Sequence, residues 1–240
     1  MAGRVRVGEG DAARTDRKPG DLLDDSTPVA VVESQPYVSR GGYKLAAALD
    51  TFAIDPGGRV CLDAGASTGG FTDVLLQRGA ARVYAVDVGR GQLAVTLTRD
   101  PRVISMERTN ARLLTPAALP EPVELAVIDV SFISLALVLG PVASCFGPDG
   151  GPIVALVKPQ FEAGRSEAKT GVVRDPAVHL EVMRRIVAFA EEVGLRAVSA
   201  VASPITGPEG NREFLLHFEV GEGDATPTVA DDRLVEVTRP

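Results

Sequence analysis

Two groups of residues in this 240-residue chain have types and spacing suited to chemistry. The first is local. Asp63-Ala-Gly65-Ala-Ser67-Thr68-Gly69-Gly70-Phe71 is a run of small residues between a β-branched stretch and a helical pattern. Glycines there let the backbone approach a ligand closely, and the helix that follows offers free N–H donors at its start. About twenty residues on, Asp87 closes the next apolar stretch, where a carboxylate can accept both hydroxyls of a ribose. A nicotinamide dinucleotide is one ligand for such a turn. Gly65, Gly69 and Gly70 do not have the G-x-G-x-x-G spacing, however, and Asp63 would repel a pyrophosphate. A cationic, amino-acid-bearing ligand suits the turn better, which points to S-adenosylmethionine. The plain structural alternative is a tight turn that only packs strand on helix.

The second group is dispersed: Lys44, Asp129, Lys158 and Glu213. In an open parallel sheet, ligands lie beyond the carboxyl ends of the strands, where Asp129 and Lys158 are expected to emerge. All four can converge on one crevice, with Lys158 leaving an apolar strand beside the Asp129 carboxylate. Taken singly, each also reads as a solvated or ion-paired surface charge.

The elements that must position these groups alternate. Strands are expected at 60–64, 83–87, 103–106, 123–129, 153–157, 197–202 and 213–220. Helices are expected from an N-cap at Ser39 to Phe52, then at 70–78, 92–99, 133–142 and 176–192. Such alternation predicts an α/β fold with a mostly parallel sheet covered on both faces. Residues 1–36 differ in character, with short strands at 5–7 and 29–32 and turn chemistry at Lys18-Pro19-Gly20. Residues 221–240 are acidic and read as a mobile tail or a loosely docked terminal piece.

Composition narrows the class. Hydrophobic residues make up 45% and charged residues 24%, ordinary values for a globular domain. With 25 Lys+Arg against 32 Asp+Glu, the net charge of −7 lacks the overall basic field of most nucleic-acid binders, so any RNA contact must be local. Cys61 and Cys145 fit neither a disulfide framework nor a zinc set, and a reducing cytoplasm is the expected setting. The opening residues do not read as a signal peptide, and the uncharged stretch after Asp129 is too punctuated for a membrane span. His179 and His217 have no partner pattern and read as structural.

Seven strings in order carry a family resemblance: YVSRGGYKL (37–45), LDAGASTGGFT (62–72), DVGRGQL (87–93), ERTNAR (107–112), DVSFISL (129–135), LVKPQFE (156–162) and SPITGPEGNRE (203–213). The chain resembles the TlyA-type (haemolysin A-like) ribosomal RNA 2′-O-ribose methyltransferases, which are related to FtsJ. The resemblance implies a class I S-adenosylmethionine-dependent methyltransferase: a Rossmann-like α/β domain with a mostly parallel seven-stranded sheet, here over 37–220. It implies a catalytic Lys-Asp-Lys-Glu tetrad at Lys44, Asp129, Lys158 and Glu213. Cofactor contacts fall on Asp63, Gly65, Ser67, Thr68, Gly69, Phe71, Asp87 and Phe132. Ribosomal RNA or ribosomal subunits are the implied partners, with neither metal nor membrane involved.

Two departures accompany the match. Residues 1–36 look like a truncated remnant of the S-four-type RNA-binding module that opens relatives, without its basic helical half. Gln35 stands where many relatives carry Arg. Weak RNA affinity is therefore expected, and a small-molecule O-methyltransferase stays open as the second reading. A catalytically idle cofactor-binding protein is a third, opposed by the retention of all four tetrad residues.

Overall fold

The computed structural model describes residues 5–8, 22–24, 26–31, 35–164, 171–221 and 228–239. The chain forms two compact units, Met1–Pro36 and Tyr37–Pro240. In the first, β1 (Val5–Val7) and β2 (Val29–Val31) pair antiparallel, with Val5 opposite Val31. The Lys18-Pro19-Gly20 turn and Val32 lie outside the described residues.

The second unit holds a seven-stranded sheet. Its strands are β3 (Val60–Ala64), β4 (Arg82–Val86), β5 (Val103–Met106), β6 (Leu125–Ile128), β7 (Gly151–Val157), β8 (Leu195–Ala202) and β9 (Phe214–Val220). They lie in the order β5-β4-β3-β6-β7-β9-β8. Pairing is parallel from β5 through β7, while β9 runs antiparallel to both β7 and β8. The helices are α1 (Gly41–Phe52), α2 (Gly70–Gln77), α3 (Val95–Thr98), α4 (Leu139–Ala143), α5 (Pro159–Glu162), α6 (Pro176–Glu192) and α7 (Asp231–Thr238).

Strand side chains alternate between two faces, and each face feeds its own core. Leu62, Ala126, Ile128, Ile153 and Ala155 pack with Leu139 of α4, Ile186 of α6 and Leu234 of α7. Cys61, Leu125, Val127, Val154 and Leu156 pack with Leu45 and Leu49 of α1 and Val74 and Leu75 of α2. Burial on both faces explains why these strands read as continuous apolar runs. It also pushes the Cys61 thiol up to about 12, chiefly by desolvation, so this cysteine is inert packing.

Several expected boundaries move, each for a local reason. Arg40, in a helical conformation and without a side-chain cap, precedes α1, so Ser39 is not the N-cap. The Ser39 hydroxyl instead fills the place where a Cβ on Gly70 would sit, 2.2 Å away, and the starts of α1 and α2 meet there. The helix expected at 92–99 shrinks to α3 because the Ala94 N–H is bonded to the Thr68 carbonyl. The one expected at 133–142 divides into a 3₁₀ turn (Leu135–Leu137) and α4, since Pro141 brings no N–H to the ladder.

The terminal segment is not simply a tail. Residues 231–238 form α7, whose Leu234 and Val237 are buried. Arg212 donates to the carbonyls of Val237 and Thr238, and Arg184 makes two bonds to Asp231. Val229 N–H donates to the Ala197 carbonyl and Arg233 to that of Ala200, which covers the β8 edge. Among the described residues no helix is long and apolar enough to cross a membrane.

Candidate active site

Strand order reverses at β3, which has β4 on one side and β6 on the other, so a crevice opens between the carboxyl ends of β3 and β6. The chain leaves β3 through Gly65 at φ +90°, where a Cβ would stand 2.5 Å from the Asp129 carbonyl oxygen. Only glycine fits so close to the neighbouring strand end. Gly65 and Ala66 donate to the Val86 carbonyl, and Asp129 N–H donates to the Ala64 carbonyl. At the end of β4, one Asp87 oxygen accepts the Ser67 N–H at 2.8 Å and the other accepts the Gly89 N–H at 2.7 Å. Each oxygen keeps acceptor capacity for a further donor.

Two ion pairs occupy this crevice. Lys44, on the buried side of α1, reaches Glu213 Oε2 just before β9. The Glu213 side chain is fully buried, its Oε1 has no hydrogen-bond partner, and a Cβ on Gly207 would come within 2.2 Å of that oxygen. Lys158, the residue after β7, places Nζ 2.5 Å from Asp129 Oδ1 and donates to Ser131 Oγ at 2.7 Å. All four side chains line one cleft of about 590 Å³.

The same wall carries Gly65, Ser67, Thr68, Phe71 and Phe132. Asp87 lines an adjoining cleft of about 400 Å³ that shares Gly65, Ser67, Asp129 and Phe132 with the larger one. Phe132 stands between the two. Its backbone is left-handed at φ +65°, its ring is 85% exposed, and it rests 4.9 Å from the Phe161 ring. A bulky side chain in that backbone region is uncommon, and such strain is held where surrounding contacts impose it.

Two expected cofactor residues are not among those lining either cleft. Asp63 belongs to β3 itself and alternates with Leu62, so it points to the α2 side, where Oδ2 accepts the Thr72 hydroxyl at 2.6 Å. It is sealed from the cleft. Burial pushes its pKa up from 3.8 to about 7, opposed by the Thr72 bond and helped by the charges of Asp129 and Asp87. Gly69, at φ +96°, leads into α2, and a Cβ there would meet Leu97 at 2.2 Å and Leu93 at 2.7 Å. His179 bonds the Val173 carbonyl, and His217 pairs with Glu219 while stacking on Phe52, both outside the cleft wall. Among the described residues no cluster of His, Cys, Asp and Glu could hold a metal ion.

The sequence reading left out several wall residues, namely Arg40, Ser131, Gln160, Phe161, Thr206 and Asn211. Each lies inside one of the seven strings, which was the available signal. It also missed three exposed arginines. At the amino-terminal end of the sheet, Arg78, Arg82 and Arg102 are paired with Asp50, Glu121 and Asp100, whereas Arg59 and Arg99 form no ion pair among the described residues. At the carboxyl end, Arg90, Arg108 and Arg112 are exposed on the loops after β4 and β5 and form no ion pair among the described residues. Arg112 lines the smaller cleft.

Comparison with known proteins bears on this geometry. The FtsJ-like methyltransferase family model matches residues 37–220. The chain is 50% identical over 218 residues to the 16S/23S rRNA (cytidine-2′-O)-methyltransferase TlyA of Mycobacterium tuberculosis, covering 90% of this chain and 80% of that one. A candidate hemolysin from Streptococcus thermophilus superposes with a TM-score of 0.82 at 43% identity, over 97% of this chain and 84% of that one. A SAM-dependent methyltransferase from Aquifex aeolicus, at 16% identity and a TM-score of 0.51 over 76% and 93% of the two chains, shares the fold alone.

Proposed function

Since the chain belongs to the FtsJ-like methyltransferase family, we propose that it transfers a methyl group from S-adenosylmethionine to a ribose 2′-oxygen of ribosomal RNA. One observation carries the reading: Lys44, Asp129, Lys158 and Glu213, scattered through the sequence, meet as two ion pairs in one cleft beside a glycine-rich turn.

The residues present suit the cofactor. Gly65 keeps the crevice floor free of side chain, Asp87 retains acceptor capacity for ribose hydroxyls, and Asp129 places a carboxylate where a cationic donor would sit. Bound there, S-adenosylmethionine supplies a methyl group on a cationic sulfur, already activated for displacement.

Orientation of the attacking oxygen can contribute about 7–11 kcal/mol, while a general base gives about 10²–10⁴-fold. Positioning dominates. Lys158 Nζ holds the 2′-oxygen and serves as acceptor for the hydroxyl proton when the methyl carbon exchanges its bond to sulfur for one to that oxygen. Asp129 and Ser131 aim that amine. The Lys44–Glu213 pair closes the other side of the ribose. Phe132, raised on Phe161, offers a flat apolar surface between the two clefts.

The exposed arginines favour RNA over a small molecule. Among the described residues Arg90, Arg108 and Arg112 form no ion pair, and with Arg112 in the wall of the smaller cleft they offer a chain of net charge −7 a local footprint for phosphates. The test is labelled methyl transfer to purified ribosomal subunits, followed by digestion to nucleosides. A 2′-O-methylated nucleoside is the expected product. Label appearing only in extracted small molecules would favour the second reading, and label in neither would refute methyl transfer.

A further inference from the structure

The segments leaving β6 and β7 run side by side because those strands are parallel neighbours, and three contacts fasten one to the other. Lys158 reaches Asp129 and Ser131, Phe161 packs on Phe132, and Glu162 completes the series. Glu162 Oε1 accepts the Leu135 N–H at 2.7 Å and Oε2 accepts the Ser134 hydroxyl at 2.8 Å. Ser134 Oγ accepts the Ala136 N–H in turn, starting the 3₁₀ turn. Arg185 of α6 donates to the Glu162 backbone carbonyl and ties α5 to the long helix. Unlike Lys158 and Phe161, Glu162 is not part of the cleft wall.

We propose that Glu162 is a positioning residue for the reaction argued above: its carboxylate clamps residues 129–135 so that Asp129 and the Phe132 ring keep their places at the cleft. Upstream, the Asp129 N–H is fixed to the Ala64 carbonyl. Downstream, the two Glu162 bonds fix Ser134 and Leu135. Phe132 lies between these anchors in a backbone region that a bulky residue leaves when released. Its exposed ring has little packing of its own besides Phe161, so the clamp must supply the restraint. Charge-assisted hydrogen bonds are strong enough for that task.

The chain contains no tryptophan, so Phe132→Trp installs a single fluorophore on this segment. In that background, time-resolved anisotropy should show the ring tumbling with the protein. Adding Glu162→Ala should introduce a nanosecond local motion. Glu162→Gln should restore the slow decay, because the amide oxygen still accepts from Leu135 and the amide nitrogen can donate to Ser134 Oγ. In the chain without the tryptophan, Glu162→Ala should lower kcat about tenfold, with Glu162→Gln recovering most of the rate. Ser134→Ala, which deletes one arm, serves as the milder variant if Glu162→Ala does not fold. An unchanged anisotropy decay would overturn the clamp, and a loosened ring with parental kcat would overturn its positioning role. A parent chain that transfers no methyl group would refute the reaction instead, and the anisotropy would still decide the clamp.

Discussion

Asp63→Asn tests whether the carboxyl behind the glycine-rich turn titrates near neutrality. In the folded protein this group is pushed up to about 7, against an ordinary value of 3.8, with burial as the main cause. The folded state therefore binds the Asp63 proton more tightly than the unfolded chain does. The stability this proton contributes is fully present below pH 3.8 and is lost as pH rises through about 7. At pH 5 the folded protein keeps a proton that the unfolded chain has mostly released, and at pH 8 neither holds one. The difference across that window amounts to roughly 2–3 kcal/mol. Asparagine removes the titration while its amide oxygen can still accept the Thr72 hydroxyl. The assay is urea denaturation of parent and variant at constant ionic strength from pH 5 to pH 8. Stability of the variant relative to the parent should rise by that amount. A difference that stays flat with pH would refute the argument that Asp63 is buried and largely protonated below neutrality.

Lys158→Met should abolish turnover while leaving cofactor affinity near the parent's, and Lys158→Arg should not rescue it, because a guanidinium cannot take a proton at working pH; near-parental methyl transfer in Lys158→Met would remove it from the reaction. Gly65→Ala must seat a Cβ 2.5 Å from the Asp129 carbonyl at φ +90°, so it should lower the melting temperature and weaken cofactor binding together, at a cost of at least about 1–2 kcal/mol from the backbone alone. Arg108→Ala and Arg112→Ala should each reduce the salt dependence of binding to ribosomal RNA by roughly one charge; an unaltered slope measured by filter binding would place the phosphate contacts elsewhere.

The parts of the molecule legible in the sequence were those set by local pattern or by quoted strings. The turn after β3 announces itself through four small residues following a buried strand, and α6 was placed to the residue by its apolar spacing and Pro176. The four tetrad positions could be aligned, yet their meeting depends on strand order, which places Glu213 against Lys44 through an antiparallel strand that no local pattern encodes. The burial of Asp63 was not legible because membership of the turn or of the strand decides which way a side chain points, and one residue settles it. At Gly69 the leucines of a later segment also demand a glycine, a constraint that no local pattern shows. The exposure of Arg90, Arg108 and Arg112 was invisible for a related reason: exposure and pairing depend on neighbours distant along the chain.

The position of β9 between β7 and β8 also sets a timetable for the newborn chain. β8 is made before β9 yet has no place in the sheet until β9 arrives to separate it from β7. Lys44 and Glu213 are 169 residues apart, an interval that takes a ribosome roughly ten to thirty seconds to translate at about 5–20 residues per second. Through that interval the first lysine lacks its carboxylate, and the apolar edge of β7 waits uncovered for chaperones or for the rest of its own chain. The Lys44–Glu213 pair thus doubles as a seal of completion, since a polypeptide released before Glu213 has neither a finished sheet nor a finished site.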